Sequence, residues 1–148
     1  MEKSRAIKKS PGKIGLLLEM IKFEHTLFAL PFALSAAVVA ARGVPSLPVI
    51  GYILLAMVGA RSAAMAFNRI ADRQIDAANP RTKARELPRG AVALWEAWAL
   101  MLASIAVFIF AAHQLNPLAF ALSPIALMII LGYSLTKRFT SLSHFVLG

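Results

Sequence analysis

The feature that most constrains this chain is a series of apolar runs, each close to 20 residues long, set apart by short polar stretches. A helix that crosses a bilayer needs about 20 mainly apolar residues. Residues Thr26–Ala41 carry no charge, and Ile14–Ile21 extends that run upstream with Glu19 alone charged. Leu47–Phe67 is interrupted only by Arg61, Ala91–Ala112 only by Glu96, and Pro117–Thr136 by nothing. Leu142 onward reads as the start of a fifth run. Strands are excluded because the runs are too long and do not alternate. Gly43, Pro45 and Pro48 mark the first turn between spans, and Asn116-Pro117 the third. The predicted fold class is all-α, a polytopic transmembrane helical bundle of four spans plus the start of a fifth. Composition agrees: 59% of residues are hydrophobic, against roughly 45–50% in a soluble domain.

The charges are distributed as orientation signals. Lys3, Arg5, Lys8, Lys9, Lys13 and Lys22 precede the first span; Arg69, Arg73, Arg81, Lys83, Arg85 and Arg89 follow the second; Lys137 and Arg138 follow the fourth. The loops on the other side hold only Arg42. Lys and Arg accumulate on cytoplasmic loops, so the N-terminus and the 77–90 loop are expected in the cytoplasm, in a multi-pass protein of the cell (inner) membrane. Residues 1–12 read as a basic cytoplasmic tail and 13–148 as the transmembrane domain. This placement accounts for the net charge of +9 without a nucleic-acid partner. No cleavable signal peptide is recognised at the N-terminus. Cysteine is absent, which removes thiol catalysis, disulfides and Cys zinc sites. Trp95 and Trp98 fall where an interfacial aromatic belt is expected.

The second span runs into a row of polar residues, Asn68, Asp72 and Asp76, spaced by four. On a helix, successive members rotate by about 40° and rise by about 6 Å, so all three share an arc of about 80°. Arg61 lies within about 20° of Asn68 and about 10 Å deeper. Charges at membrane depth usually mark a function. Two carboxylates and an amide are hard oxygen ligands of the kind Mg²⁺ takes together with substrate phosphates. The competing reading is local ion pairing, Asp76 with Arg73 or Asp72 with Arg69. The next segment, residues 79–89, is rich in cations. Guanidinium groups grip phosphates at two points and lysine adds a point charge, so a magnesium diphosphate suits the pair of features. The alternative is an ordinary positive-inside loop or a contact with anionic lipid headgroups.

The stretch from Asn68 to Pro88, with Asp72, Asp76, Arg81, Thr82 and Arg85 at their places, resembles the first Asp-rich signature of the UbiA-type intramembrane aromatic prenyltransferases, N-x-x-x-D-x-x-x-D followed by an R-T-x-x-R loop. Phe23–Phe32 resembles that family's first helix, and the stretch from Tyr133 to Lys137 its Y-x-x-x-K segment. The resemblance implies an all-helical fold of about nine transmembrane helices around a central cavity. It implies transfer of a polyprenyl group from a polyprenyl diphosphate to an aromatic acceptor such as 4-hydroxybenzoate, in ubiquinone or menaquinone biosynthesis, with Mg²⁺ as cofactor. Carried over by position, Asn68, Asp72 and Asp76 would be the catalytic, metal-binding row. Arg81, Arg85 and Lys137 would bind diphosphate oxygens, while Arg61 and Tyr133 would line the pocket near the acceptor or the reacting carbons. The family carries a second Asp-rich motif, and no second D-x-x-x-D occurs among these 148 residues. The resemblance therefore covers an N-terminal half, and a missing C-terminal half is an expected partner. The alternative function is a non-catalytic, truncated four-span membrane protein that binds anionic lipid or a partner.

Other polar residues have plainer readings. His25 and His113 read as helix-end or interfacial residues, with His25 the better candidate for substrate contact. Glu96 is expected at the interface. Ser35, Ala36 and Ala37 offer a small-residue packing seam of the kind found between membrane helices.

Overall fold

A computed structural model describes residues 12–22, 28 and 30–136. Five helices follow in order: α1 (Lys13–Met20), α2 (Leu30–Ala41), α3 (Leu47–Ala78), α4 (Leu94–Leu115) and α5 (Pro117–Thr136). No strand occurs among the described residues. Helices α3, α4 and α5 are each long and apolar enough to cross a membrane. At 1.5 Å per residue the 20 residues of α5 span about 30 Å, close to the hydrocarbon thickness. The chain is thus a multi-pass membrane protein.

The first expected apolar run is described in two helices. The run is split: α1 ends at Met20, and Lys22 takes a left-handed conformation with φ 50°. That conformation is uncommon for a residue with a Cβ. Helix α2 has 12 described residues, about 18 Å of helix. An apolar run gives no warning of this break, because both pieces are apolar for different reasons. Met20 and Ile21 are buried against α3 and α4, whereas Phe32 and Val39 of α2 are exposed. The end of α2 is closed by Gly43 N–H on Val38 C=O and Arg42 N–H on Val39 C=O, with Arg42 at φ 50°. These are the paired bonds of a Schellman turn.

The remaining helices start where their sequences dictate. Pro48 stands in the first turn of α3 and Pro117 opens α5, positions where a missing N–H costs nothing. Asn116 Oδ1 accepts the Ala119 N–H at 2.7 Å and so caps α5. Helix α4 begins three residues later than the apolar run, because Gly90, at φ 74°, and the residues after it close the preceding loop. Glu96 accepts the Ala93 N–H at 2.7 Å and pairs with Lys13 of α1 at 2.9 Å, so it ties two elements together rather than simply facing water.

Helices α3 and α4 form the tightest interface and run antiparallel: Tyr52 near the start of α3 meets Phe110 near the end of α4, edge to face at 6.4 Å. The seam consists of small residues, with Gly59, Ala63 and Ala66 all buried. Small residues let membrane helices approach closely. At the expected seam, Ser35 and Ala36 are exposed and Ala37 half-buried among the described residues. The core cluster sits at one end of the bundle, where Met20, Ile21, Ala66, Val92, Ala97 and Met101 pack together. The rest of the surface carries exposed Leu, Ile, Phe and Val, as lipid contact requires.

Candidate functional site

Helix α3 does not stop at the membrane boundary but runs unbroken through the polar row to Ala78. The sequence supports this, since residues 61–78 contain neither Pro nor Gly, and those are the residues that break helices. One consequence is a cavity of about 510 Å³ between α3 and α5. Its α3 wall is Met57, Ala60, Arg61, Ala64, Met65 and Asn68, and its α5 wall is Ile129, Ile130, Tyr133 and Ser134. Three of the residues singled out from sequence, Arg61, Asn68 and Tyr133, therefore face one space. The Arg61 Nε is buried and has no hydrogen-bond partner among the described residues. A buried donor left unsatisfied costs about 1–3 kcal/mol, so this nitrogen is suited to an anionic or carbonyl oxygen inside the cavity. The apolar wall was not identified from sequence. Stepping back from Asn68 by three and four residues reaches Met65, Ala64, Arg61, Ala60 and Met57, so helical periodicity carried the signal.

Asp76 lies on a different side. It is 6% exposed, and Arg85 Nη1 donates to both of its oxygens, at 2.8 and 2.7 Å. The arc of about 80° between Asn68 and Asp76 is enough to turn one toward the cavity and the other toward the loop. Local pairing of Asp76 with Arg73 is therefore corrected: the partner is Arg85, nine residues on, and Arg73 is exposed. Arg69 also has another role. Its Nε donates to the Met20 carbonyl at 3.0 Å in a buried contact, which satisfies a C-terminal carbonyl of α1 that its own helix leaves unpaired.

The loop after α3 is a chain of turns, with Thr82 and Lys83 N–H on the Asn79 carbonyl, Arg85 N–H on Thr82 and Arg89 N–H on Arg85. Asn79 Oδ1 accepts the Arg81 N–H at 2.9 Å, and the Thr82 hydroxyl donates to the Asp76 carbonyl at 3.1 Å. These bonds fold the loop back over the end of α3 and bring Arg85 onto Asp76. Arg81 and Lys83 remain exposed. Lys137, His25, His144, residues 1–11 and the run from Leu142 lie outside the described residues.

Asn68, Asp72 and Asp76 present hard oxygens along one helix. Among the described residues no group of three acidic or imidazole side chains is gathered closely enough to hold a metal ion. Hard oxygens of this kind suit Mg²⁺, which is commonly held by one or two carboxylates and completes its shell with water or with phosphate oxygens of a ligand.

A family model described as the UbiA prenyltransferase family matches residues 29–148. The chain is 37% identical over 123 residues to a 4-hydroxybenzoate octaprenyltransferase of Vibrio atlanticus, covering 83% of this chain and 43% of that protein. It is 32% identical to one of Shewanella woodyi, covering 92% and 49%. The chain thus spans about half the length of the curated relatives it matches. An apo structure of a UbiA homolog from Aeropyrum pernix K1 superposes with a TM-score of 0.78 at 46% identity, over 84% of this chain and 45% of that one.

Proposed function

The chain belongs to the UbiA prenyltransferase family, and from that premise we propose that it serves in the Mg²⁺-dependent transfer of a polyprenyl group from a polyprenyl diphosphate to an aromatic acid such as 4-hydroxybenzoate, at the cytoplasmic side of the cell membrane. The observation that carries the reading is the cavity between α3 and α5. Its apolar walls suit a prenyl chain, and its polar members are Arg61, Asn68 and Tyr133, Asn68 being the first residue of the N-x-x-x-D-x-x-x-D row on α3.

Each residue has a part. Asp72 and Asp76 would hold the metal side of the diphosphate, with Asn68 as a neutral oxygen donor. Arg81, Arg85 and Lys137 would neutralise the remaining oxygens as negative charge builds on the leaving group, which is electrostatic stabilisation aimed where charge develops. Mg²⁺, when bound, would supply Lewis acidity to the departing diphosphate. The allylic C–O bond breaks with its electron pair on the diphosphate, an aromatic ring carbon bonds to the prenyl carbon, and the ring then loses its proton to the released diphosphate. The Tyr133 ring face attracts a cation-like carbon. The buried Arg61 Nε would take the acceptor carboxylate. The apolar walls would keep water from the reacting carbon.

A second reading is a non-catalytic module that binds diphosphate or anionic headgroups through the exposed cations Arg81 and Lys83 of the loop after α3. One assay separates the two. Membranes carrying the chain are given Mg²⁺, a polyprenyl diphosphate and 4-hydroxybenzoate, with and without a co-expressed segment that completes the relatives' length. Prenylated product that disappears in Asp72→Ala supports the transferase. Binding of the diphosphate without product in either arm supports the module. Product that survives Asp72→Ala overturns the role of the acidic row.

A further inference from the structure

Two groups that the proposed function requires to be available are, in this structure, bound to each other. Asp76 would hold a metal and Arg85 a diphosphate, yet Arg85 Nη1 sits 2.8 and 2.7 Å from the two Asp76 oxygens. The contact is built rather than incidental. The Thr82 hydroxyl on the Asp76 carbonyl pins the loop to the last turns of α3, and the bond from Arg85 N–H to the Thr82 carbonyl sets the turn from which the guanidinium reaches back.

We propose that the Asp76–Arg85 pair is a latch that stores the site in a charge-neutral, closed form and is opened by exchange, the metal taking Asp76 and the diphosphate taking Arg85. The inference rests on the functional reading above and adds to it an order of loading. The two side chains differ in exposure, 36% for Arg85 and 8% for Asp76. A charge left buried without a partner is costly, while one at the surface is solvated by water. Drawing Arg85 away first strands a buried carboxylate, so diphosphate alone opens the latch poorly. Occupying Asp76 first releases a guanidinium that water already reaches. The metal therefore enters first, and the freed Arg85 then completes the anion site.

The test uses the wild-type chain in nanodiscs and an arginine-selective reagent, phenylglyoxal, with modification read residue by residue by mass spectrometry. Mn²⁺ serves as the probe metal and its binding is followed by EPR. The expected result is that saturating Mn²⁺ alone raises the modification rate of Arg85 at least fivefold and leaves exposed Arg81 within twofold. Pyrophosphate added next slows Arg85 again, whereas pyrophosphate with EDTA, without metal, leaves its rate unchanged. As a second measurement, Arg85→Gln binds Mn²⁺ at least tenfold more tightly than wild type, and Arg81→Gln, which removes the same charge four residues away, changes it less than threefold. Bound Mn²⁺ with an unaltered Arg85 rate, or equal effects of the two substitutions, overturns the latch while leaving the site reading intact. Absence of Mn²⁺ binding both alone and with pyrophosphate takes away the site reading and the latch with it.

Discussion

Gly59 is the position where the α3–α4 contact is least able to absorb change, and its replacement by alanine gives a measurable test of the fold. A Cβ at Gly59 stands 2.9 Å from Phe108 N and 2.9 Å from Ser104 O, both backbone atoms. Ordinary contact begins at 3.4 Å, so the two helices separate by about 0.5 Å or the bundle deforms elsewhere. Overpacking of this kind costs about 1–3 kcal/mol. Alanine also gains up to about 1 kcal/mol over glycine from helix propensity, which obscures the clash when Gly59→Ala is measured alone. Gly51 supplies the control: it lies on the same helix, and a Cβ there meets nothing within 4 Å. Gly51→Ala is therefore neutral or mildly stabilising. The difference between the two variants isolates the packing term, about 1–3 kcal/mol. The assay is the midpoint and slope of SDS-induced unfolding in mixed micelles, followed by circular dichroism. Equal stability of Gly59→Ala and Gly51→Ala would refute the close approach of α3 and α4.

Four further outcomes are expected. Arg69→Met removes a charged hydrogen bond to the Met20 carbonyl, worth about 1.5–3 kcal/mol, and amides of Lys13–Met20 then exchange faster in hydrogen–deuterium exchange while those of α5 do not. Asp76→Ala leaves Arg85 without its carboxylate and lowers the free energy of SDS-induced unfolding by about 1 kcal/mol, less than for a fully buried pair because Arg85 is one-third exposed. Arg61→Met raises the KM for the aromatic acid at least tenfold in the membrane assay and leaves diphosphate binding within twofold; an unchanged KM removes Arg61 from acceptor binding. Lys13→Ala, at an exposed ion pair with Glu96, leaves the unfolding midpoint unchanged at high salt, and a large shift there shows that the clasp between α1 and α4 matters more than its exposure implies.

Much of this arrangement is legible in the sequence where local chemistry decides it. Asn116-Pro117 sets the start of α5, because a capping amide and an N1 proline need no tertiary help. The shared outlook of Arg61 and Asn68 follows from helical rotation alone. Tertiary contacts decide the rest. The break after Met20 depends on Met20 and Ile21 being taken into the core and on Arg69 receiving the freed carbonyl. Asp76 chooses Arg85 over the nearer Arg73 because the turns of residues 79–89 bring the distant guanidinium back. The seam at Gly59–Ala66 is closed by α4, whereas Ser35 and Ala36 stand exposed among the described residues, a difference that small residues alone do not announce.

The unbroken length of α3 has a mechanical consequence. Its 32 residues make a rod of about 48 Å, well over the roughly 30 Å of lipid it must traverse. Asp76 rides near the far end of that rod, so a lean of about 10° pivoting at mid-membrane swings it sideways by about 5 Å, a displacement larger than a hydrogen bond. Membrane helices answer a change in bilayer thickness by tilting. The geometry of the acidic row is thereby geared to the thickness of the lipid around the stem, and the same chain reconstituted in thin and thick bilayers presents its carboxylates at different places.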